Sequence, residues 1–425
     1  MKIVCAPKDF DFSHHKADLV VILYGNKDRQ TRGGIGAAVM HEIVHHKLRP
    51  APRAWDLLSL ALSVMAADLA GHRNRSTDGW TREFELAISV MDTAFWQSQA
   101  MLIEKLLAFL TTDRWKIRFY EHGLLPVPDK RPTLPNEDSI VLLSGGLDSF
   151  IGALDLDAKG KKLYAVSQIV RGDAEKQQQF AGLIGGGLRH LQVNHNADLP
   201  DQEDPPSQRA RSIIFLAYGI LAATTLARYH AGKDVPLYVC ENGFIAINPP
   251  LTDTRLGSLS TRTAHPVFLA LLQMLLDAAG LRVRIENPYQ LKTKGEMLKE
   301  CQDNNRLKAY ACGTTSCGRF KQYGYTHCGR CVPCLIRRAA IYAWGINDTT
   351  GYVYKKLGKK DEDHARFDDV RSAAMAVAEV QAEGIDKWLG TSLTSTMLTN
   401  VAEYRKVAAR GLKELGGFLS SVGVK

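Results

Sequence analysis

The sequence predicts an α/β protein: a doubly wound parallel sheet over residues 137–345, with an N-terminal mixed α/β domain before it and a helical C-terminal extension after it. Three observations lead there. From about residue 138 to 345, short apolar runs of strand length alternate with helical patterns, the arrangement of parallel strands joined by crossover helices. The first run feeds directly into a glycine-rich turn and a helix start, as nucleotide-holding α/β folds do. A proline-rich stretch, Leu125-Pro126-Val127-Pro128 through Arg131-Pro132-Thr133-Leu134-Pro135, separates this unit from what precedes it, and a stiff linker of this kind marks a boundary.

The chain therefore divides into an accessory domain (residues 1–125), a linker (126–136), the central domain (137–345) and the extension (346–425). In the accessory domain the pattern is mostly helical, with short strands expected at Ile3 to Ala6, Leu19 to Tyr24 and Trp115 to Tyr120. Its Ser76-Thr77-Asp78-Gly79-Trp80-Thr81-Arg82 segment reads as a helix start, with Asp78 as cap and Trp80 packed inside. In the central domain, strands are expected at Ser139 to Leu143, Leu163 to Gln168, Leu191 to His195, Leu237 to Cys240 and Arg282 to Ile285, with helices starting near Ser149, Asp173, Gln208 and Thr263. The extension reads as amphipathic helices near Val370 to Ala382 and Met397 to Leu419, and nothing in it suggests chemistry.

The turn after the first central strand reads Ser144-Gly145-Gly146-Leu147-Asp148-Ser149. Its glycines let backbone N–H groups approach phosphate oxygens, and the two serine hydroxyls add donors. Asp148 refines the reading, because a carboxylate beside a polyanion needs a cation between them. Mg·nucleotide is therefore expected, with Asp148 holding Mg²⁺. The Gly-Lys-Ser/Thr ending of a Walker A loop is missing.

Four of the eight cysteines form a second signature, Cys317 followed by Cys328-Gly-Arg-Cys331-Val-Pro-Cys334. Such nested spacing lets four thiolates meet at one ion, and a closed set of four suits structural Zn²⁺. An iron–sulfur cluster is the alternative, and disulfides do not fit a chain without a secretion signal. Cys312 is a spare thiol close by, while Cys5, Cys240 and Cys301 read as ordinary buried or free cysteines.

Ser-Gly-Gly-x-Asp-Ser is the motif of the PP-loop ATP pyrophosphatases, whose adenine nucleotide alpha hydrolase-like domain cleaves ATP between its α and β phosphates. Together with Thr315 through Arg337, the chain resembles the QueC-like, 7-cyano-7-deazaguanine synthase-like branch. Arg211-Ser212-Ile213-Ile214-Phe215-Leu216 and Lys292-Thr293-Lys294-Gly295-Glu296-Met297 are similar to two further segments of that family. The resemblance implies an ATP-dependent carbon–nitrogen ligase that adenylates a 7-carboxy-7-deazaguanine-type carboxylate and passes it to an amine. It places ATP on Leu143 to Ser149 and makes Asp148, Ser149, Arg211 and Lys294 the catalytic set, with Arg262 and Arg337 as further candidates for charge neutralisation. Cys317, Cys328, Cys331 and Cys334 are its zinc ligands.

Departures from the family fall at Ser167 to Asp173, at Ser212, and in the substrate region, which reads Glu241-Asn242-Gly243-Phe244 and Ser260 to Pro266. They leave the ATP chemistry intact and the acceptor open, either ammonia or a protein amine. The long layout is most similar to QueC-like proteins of bacterial anti-phage operons such as the Qat system, implying defence chemistry and other operon subunits as partners. A tRNA-modifying PP-loop enzyme and a non-catalytic nucleotide-sensing subunit are the rival readings.

Composition limits the rest. At 425 residues and 45% hydrophobic the chain can build two or three cores, and no apolar run reaches membrane-spanning length, so a cytoplasmic protein is expected. The net charge of +9 favours polyanions without selecting one; nucleic acid is the less favoured partner for want of a dedicated binding motif. Mixed runs such as Lys359-Lys360-Asp361-Glu362-Asp363 read as solvated surface. His41-Glu42-Ile43-Val44-His45 matches the HExxH of zinc proteases, but no third ligand follows, and a surface helix is the reading.

Overall fold

The computed structural model describes residues 1–27, 32–203, 207, 209–251, 262–357 and 368–424. Ser260, Thr261, the charge run at Lys359–Asp363 and the expected helix start at Gln208 lie outside the described residues. Two five-stranded sheets form the frame. The first contains β1 (Lys2–Ala6), β2 (Leu19–Gly25), β3 (Arg32–Gly36), β4 (Glu83–Ser89) and β5 (Arg114–Tyr120), in the order β3-β2-β1-β4-β5. The second contains β6 (Ser139–Leu142), β7 (Leu163–Gln168), β8 (Arg189–Val193), β9 (Val235–Tyr238) and β10 (Val283–Glu286), in the order β10-β9-β6-β7-β8. All pairings in both are parallel. Counted from its own first strand, each sheet has the same doubly wound order, reversing beside that strand.

β3 and β4 are additions to the three strands expected in the accessory domain. Arg32-Gly33-Gly34-Ile35-Gly36 looks like a turn in sequence, but the glycines are there for close approach: a Cβ on Gly33 would sit 2.5 Å from Leu199 Cδ2. β4 alternates exposed and buried residues from Glu83 to Ala87, the two-residue period of a strand with one face in the core. No helix begins at Trp80 either. Asp78 accepts from the N–H groups of Trp80 and Thr81 at 2.8 and 2.6 Å in a turn, and Trp80 is exposed with Arg209 stacked on its ring.

The helices are α1 (Ala37–His45), α2 (Pro52–Ala70), α3 (Thr93–Ser98) and α4 (Ala100–Thr111) in the first unit. The second has α5 (Leu147–Ala158), α6 (Ala174–Leu183), α7 (Arg211–Ala223), α8 (Ala227–His230), α9 (Gly243–Ala246), α10 (Pro266–Ala278), α11 (Lys294–Glu300), α12 (Asn304–Tyr310) and α13 (Val332–Trp344). α14 (Asp368–Glu383), α15 (Ile385–Leu389) and α16 (Val401–Ser421) form the extension.

α2 explains how the units join. Every residue from Ala54 to Ala70 is buried, so the helix must be covered on every side. It lies between the first sheet and α7, which in turn covers β6, β7 and β9. The same core cluster thus runs from Ile3 through Leu58 to Ile214 and Leu237. β6 shows the double winding directly: Ile140 and Leu142 point into that core, while Val141 and Leu143 point into a second one with Phe150, Phe180 and Leu298.

The buried charged side chains of this joint are paired, while Trp55 Nε1, Ser212 Oγ and Tyr218 Oη are buried without a hydrogen-bond partner. Asp56 accepts from Met91 N, Asp92 N and Trp96 Nε1. Arg82, 3% exposed, donates to both carboxylates of Asp68 and Asp113 and to the carbonyls of Asp68 and Gly71, satisfying its whole guanidinium. Asp68 also accepts from Ala210 N, at the threshold of α7.

Two outcomes follow for stability. Arg82→Ala strands two buried carboxylates and is expected to cost about 3–5 kcal/mol, read as a lowered urea midpoint with an unchanged slope; an unchanged midpoint would contradict the network. His265, the N-cap of α10, has its pKa pushed down to about 3 by burial and by Arg262. Unfolded imidazoles take a proton near pH 6.5, so between there and about pH 3 the unfolded chain binds the extra proton and stability falls with falling pH, by about 1.4 kcal/mol per unit. His265→Asn keeps a cap acceptor and removes the titration, so its urea midpoint should fall less between pH 6.5 and 5 than that of the parent.

Candidate active site

The second sheet reverses order between β6 and β9, and a cavity of about 250 Å³ opens at the carboxyl ends of these strands. Ser144, Gly146, Leu147, Asp148 and Ser149 line one side, Glu241 and Ile245 another, and Lys294, Thr315, Ser316, Pro333 and Ile336 the rest. A larger cleft of about 1020 Å³ lies at the opposite, amino edge of the first sheet, but its charged groups face one another, as in the Arg75–Asp201 pair.

The turn after β6 is braced from within. Gly145 has φ +84°, a conformation that favours glycine. Ser149 Oγ receives the Ser144 N–H at 3.2 Å, lies 3.0 Å from Ser144 Oγ and donates to Gly146 O at 3.0 Å, while Gly146 N donates to Ser144 Oγ. The two hydroxyls therefore hold the turn in shape rather than standing free as donors. Gly146 is the N-cap of α5, and no side chain caps that helix start, so its first N–H groups and dipole end face the cavity.

Asp148 is buried on the wall of this cavity. One oxygen pairs with Lys294 Nζ, and the other accepts from Asn242 Nδ2 at 2.7 Å and Asn242 N at 3.3 Å. Burial alone would raise its pKa, but Lys294 and the Asn242 donors outweigh it and hold the carboxyl below its ordinary range. Glu241 beside it has no such cation of its own; burial, then the Asp148 charge, pushes its carboxyl up to about 8. Lys294 arrives at N1 of α11, where Thr293 and Glu296 form a capping box that fixes the helix start.

The remaining expected residues fall in different places. Leu143 is fully buried at the end of β6, and Gly145 gives its carbonyl to Thr315 N at 2.9 Å, so neither lines the cavity. Arg211 sits at the start of α7, also away from the lining, with Asp173 as its charged neighbour and His195 beside it, whose pKa burial and Arg211 push down to about 4. Two further candidates are structural: Arg337 is fully buried and bonded to Thr314, Ser316, Thr350 and Ala311 O, and Arg262 donates to Phe109 O while stacking on that ring. Thr315 and Ser316 were not among the expected site residues, and Glu241 and Asn242 were expected only as part of the substrate region, with no role of their own. Both follow β9 at the reversal point, which is the signal that could have assigned them.

The cysteine segment closes over this edge. Thr315 bridges to Gly146, and Lys176 Nζ donates to Thr315 Oγ1 at 2.9 Å. The sulfurs of Cys317, Cys328, Cys331 and Cys334 all lie within 4.8 Å of one another, with Cys317–Cys331 and Cys328–Cys334 separations of 3.9 Å. A zinc tetrahedron with bonds of 2.3 Å has thiolate edges of roughly 3.8 Å. The four sulfurs fit one ion, whereas the ligands of an iron–sulfur cluster are divided among two or four irons and spread apart. The N–H groups of Arg319, Cys328, Arg330 and Cys331 point at Cys317 and Cys328 sulfurs at 3.3 to 3.4 Å, as thiolate charge requires. Cys312 instead faces Asp348, and Cys5, Cys240 and Cys301 are buried.

His41 and His45 lie exposed on α1 with their rings 5.8 Å apart. The group close enough to share an ion is Glu42, His45 and His46, which leaves out His41 and so is not the arrangement of HExxH. No described helix is long and apolar enough to cross a membrane.

A doubly wound parallel sheet, a Ser-Gly-Gly-x-Asp-Ser turn at its reversal point and a four-thiol clasp above it are consistent with a PP-loop domain. Comparison with known proteins narrows the class. The chain is similar to the 7-cyano-7-deazaguanine synthase of Ralstonia pickettii, 29% identical over 237 residues that cover 51% of this chain and 98% of the relative. It is similar too to the enzymes of that name from Acetivibrio thermocellus, 26% identical over 244 residues (51% and 97%), and Agrobacterium fabrum, 26% identical over 244 residues (50% and 91%). No family model matches the chain. The relationship is distant, and about half of the chain lies outside it.

Purified protein is expected to carry one zinc per chain by elemental analysis, and Cys334→Ser to lose it together with a lower melting temperature, since such sites contribute about 10–16 kcal/mol in isolated peptides. Iron at two or more equivalents per chain, with acid-labile sulfide and without zinc, would contradict the single-ion geometry.

Proposed function

We propose that the protein is an ATP-dependent carbon–nitrogen ligase of the 7-cyano-7-deazaguanine synthase type, which adenylates a 7-deazaguanine carboxylate and passes the acyl group to an amine. The observation that carries this is the cavity at the β6/β9 reversal, where the glycine-rich turn, the start of α5, Asp148 and Lys294 converge. The likeness to the synthases supports the choice of chemistry.

In this reading the N–H groups of Leu147 to Ser149 at the start of α5 hold the β,γ phosphates, whose charge grows as the leaving group forms, and preorganised donors act most strongly there. A carboxylate oxygen of the acid attacks the α phosphorus, the bond from that phosphorus to the bridging oxygen breaks, and pyrophosphate departs. The amine then attacks the acyl carbon, AMP leaves, and the nitrogen gives up a proton. Asp148 and Glu241 are hard oxygen donors in the lining of one cavity, the set that would hold Mg²⁺; when bound, the ion would supply charge neutralisation on phosphate oxygens. Lys294 serves Asp148 now and is within reach of a phosphate in the same cavity. The four cysteines would hold zinc, which when bound would keep the Thr315–Ser316 wall in place. The half of the chain beyond the synthase likeness favours an amine brought by a protein, such as another subunit of a defence operon.

The test incubates protein with Mg·ATP and 7-carboxy-7-deazaguanine, with ammonia or with candidate protein acceptors, and follows products by mass spectrometry. AMP and pyrophosphate should appear only with the acid present. Asp148→Ala and Lys294→Ala should each lower the rate by about a hundredfold or more. ADP in place of AMP, or a rate indifferent to the acid, would overturn the reading.

A further inference from the structure

The C-terminal helix α16 reaches the candidate active site from behind. Glu414 is the key contact. Its carboxylate accepts from Thr293 Oγ1 and, at 3.3 Å, from Gly295 N, the two donors on either side of Lys294. One turn earlier Arg410 pairs with Glu296, the partner of Thr293 in the capping box, and donates to Leu291 O at 2.9 Å. Gly295 and Gly411 permit this approach: a Cβ on Gly295 would run into the Glu414 carboxylate, and one on Gly411 into the Phe244 ring. Phe244 belongs to α9, whose N-cap is Asn242, the other partner of Asp148.

α16 therefore presses on both short helices that supply partners to Asp148. A carboxylate at a helix start also satisfies N–H groups that α11 leaves unpaired and opposes its dipole, so Glu414 is placed to fix where α11 begins. A seven-residue helix has little stability of its own and takes its position from such contacts.

We infer that Glu414, with Arg410, is a positioning residue: through α11 it sets where the Lys294 ammonium stands relative to Asp148, which makes the C-terminal extension part of the active site's framework. The inference rests on the ligase reading for its kinetic consequence, but not for its structural one. Lys294 is the sole lysine lining the cavity among the described residues, and a small displacement of a charge-stabilising group is felt in turnover more than in substrate binding.

The test compares the full-length protein with Glu414→Ala, Glu414→Gln and, as a control on the same helix, Lys406→Ala, whose partner Glu403 is exposed. Two readouts are used: kcat and KM for ATP in the acid-dependent release of AMP, and amide hydrogen exchange over residues 292–300. Glu414→Ala should lower kcat at least about tenfold with KM changed less than about threefold, and should raise exchange in that segment. Glu414→Gln, which retains one acceptor, should recover most of kcat, and Lys406→Ala should match the parent. Wild-type kcat in folded Glu414→Ala overturns the inference, as does a loss that Glu414→Gln fails to recover. If the parent releases no AMP, the ligase reading has failed, and exchange alone decides: faster exchange at residues 292–300 in Glu414→Ala upholds the positioning role, and unchanged exchange removes it.

Discussion

Asp148 stands where the second sheet reverses its strand order, and the need to keep a carboxylate charged in that buried place governs the elements around it. Removing a carboxylate from water costs several kcal/mol unless a cation and donors replace the lost hydration. Lys294 and Asn242 do so here, one brought by α11 and the other by the turn after β9. Two segments 146 and 94 residues further along the chain are thereby tied to Asp148. The arrangement is also reactive in prospect, since a lysine and a carboxylate that satisfy each other can both turn toward a phosphate and its cation when one enters.

Around that pair the molecule is built in layers that each limit the next. The first sheet and α7 enclose α2 completely, so the accessory domain is no loose appendage but one wall of a shared core. The thiol clasp presses Thr315 against the glycine turn from above, and α16 braces α11 and α9 from behind. Thr315, Asn242 and Lys294, from three regions distant in sequence, thus converge on an interval of six residues. That convergence gives the C-terminal extension, featureless as a sequence, a place in the chemistry.

Much of this was legible in the chain. The strand positions of the central sheet, the turn at Ser144 to Ser149 and the four cysteines rest on local patterns: apolar alternation, glycine placement and thiol spacing. β7 was read to the residue, and the other central strands are shifted by one to a few positions, where apolar runs outlast the ladder. What stayed hidden depends on tertiary partners. β3 is too glycine-rich to look like a strand, because its glycines answer to Leu199 and Lys27. Arg337 resembles a phosphate ligand until its bonds to Thr314, Ser316 and Ala311 are seen, and Glu414 resembles any surface acid on an amphipathic helix. The serine hydroxyls of the turn, expected to face a ligand, are engaged with each other, a choice that only the backbone path can make.

The central claim is that nucleotide phosphate occupies the turn after β6 and that Asp148 changes partners when it does. A crystal structure with Mg²⁺ and an ATP analogue whose α,β bridge resists cleavage tests it most directly. The account predicts phosphate oxygens on the N–H groups of Leu147 to Ser149, with Asp148 turned to the cation and Lys294 to phosphate. A nucleotide bound elsewhere, with the Asp148–Lys294 pair intact, would contradict it.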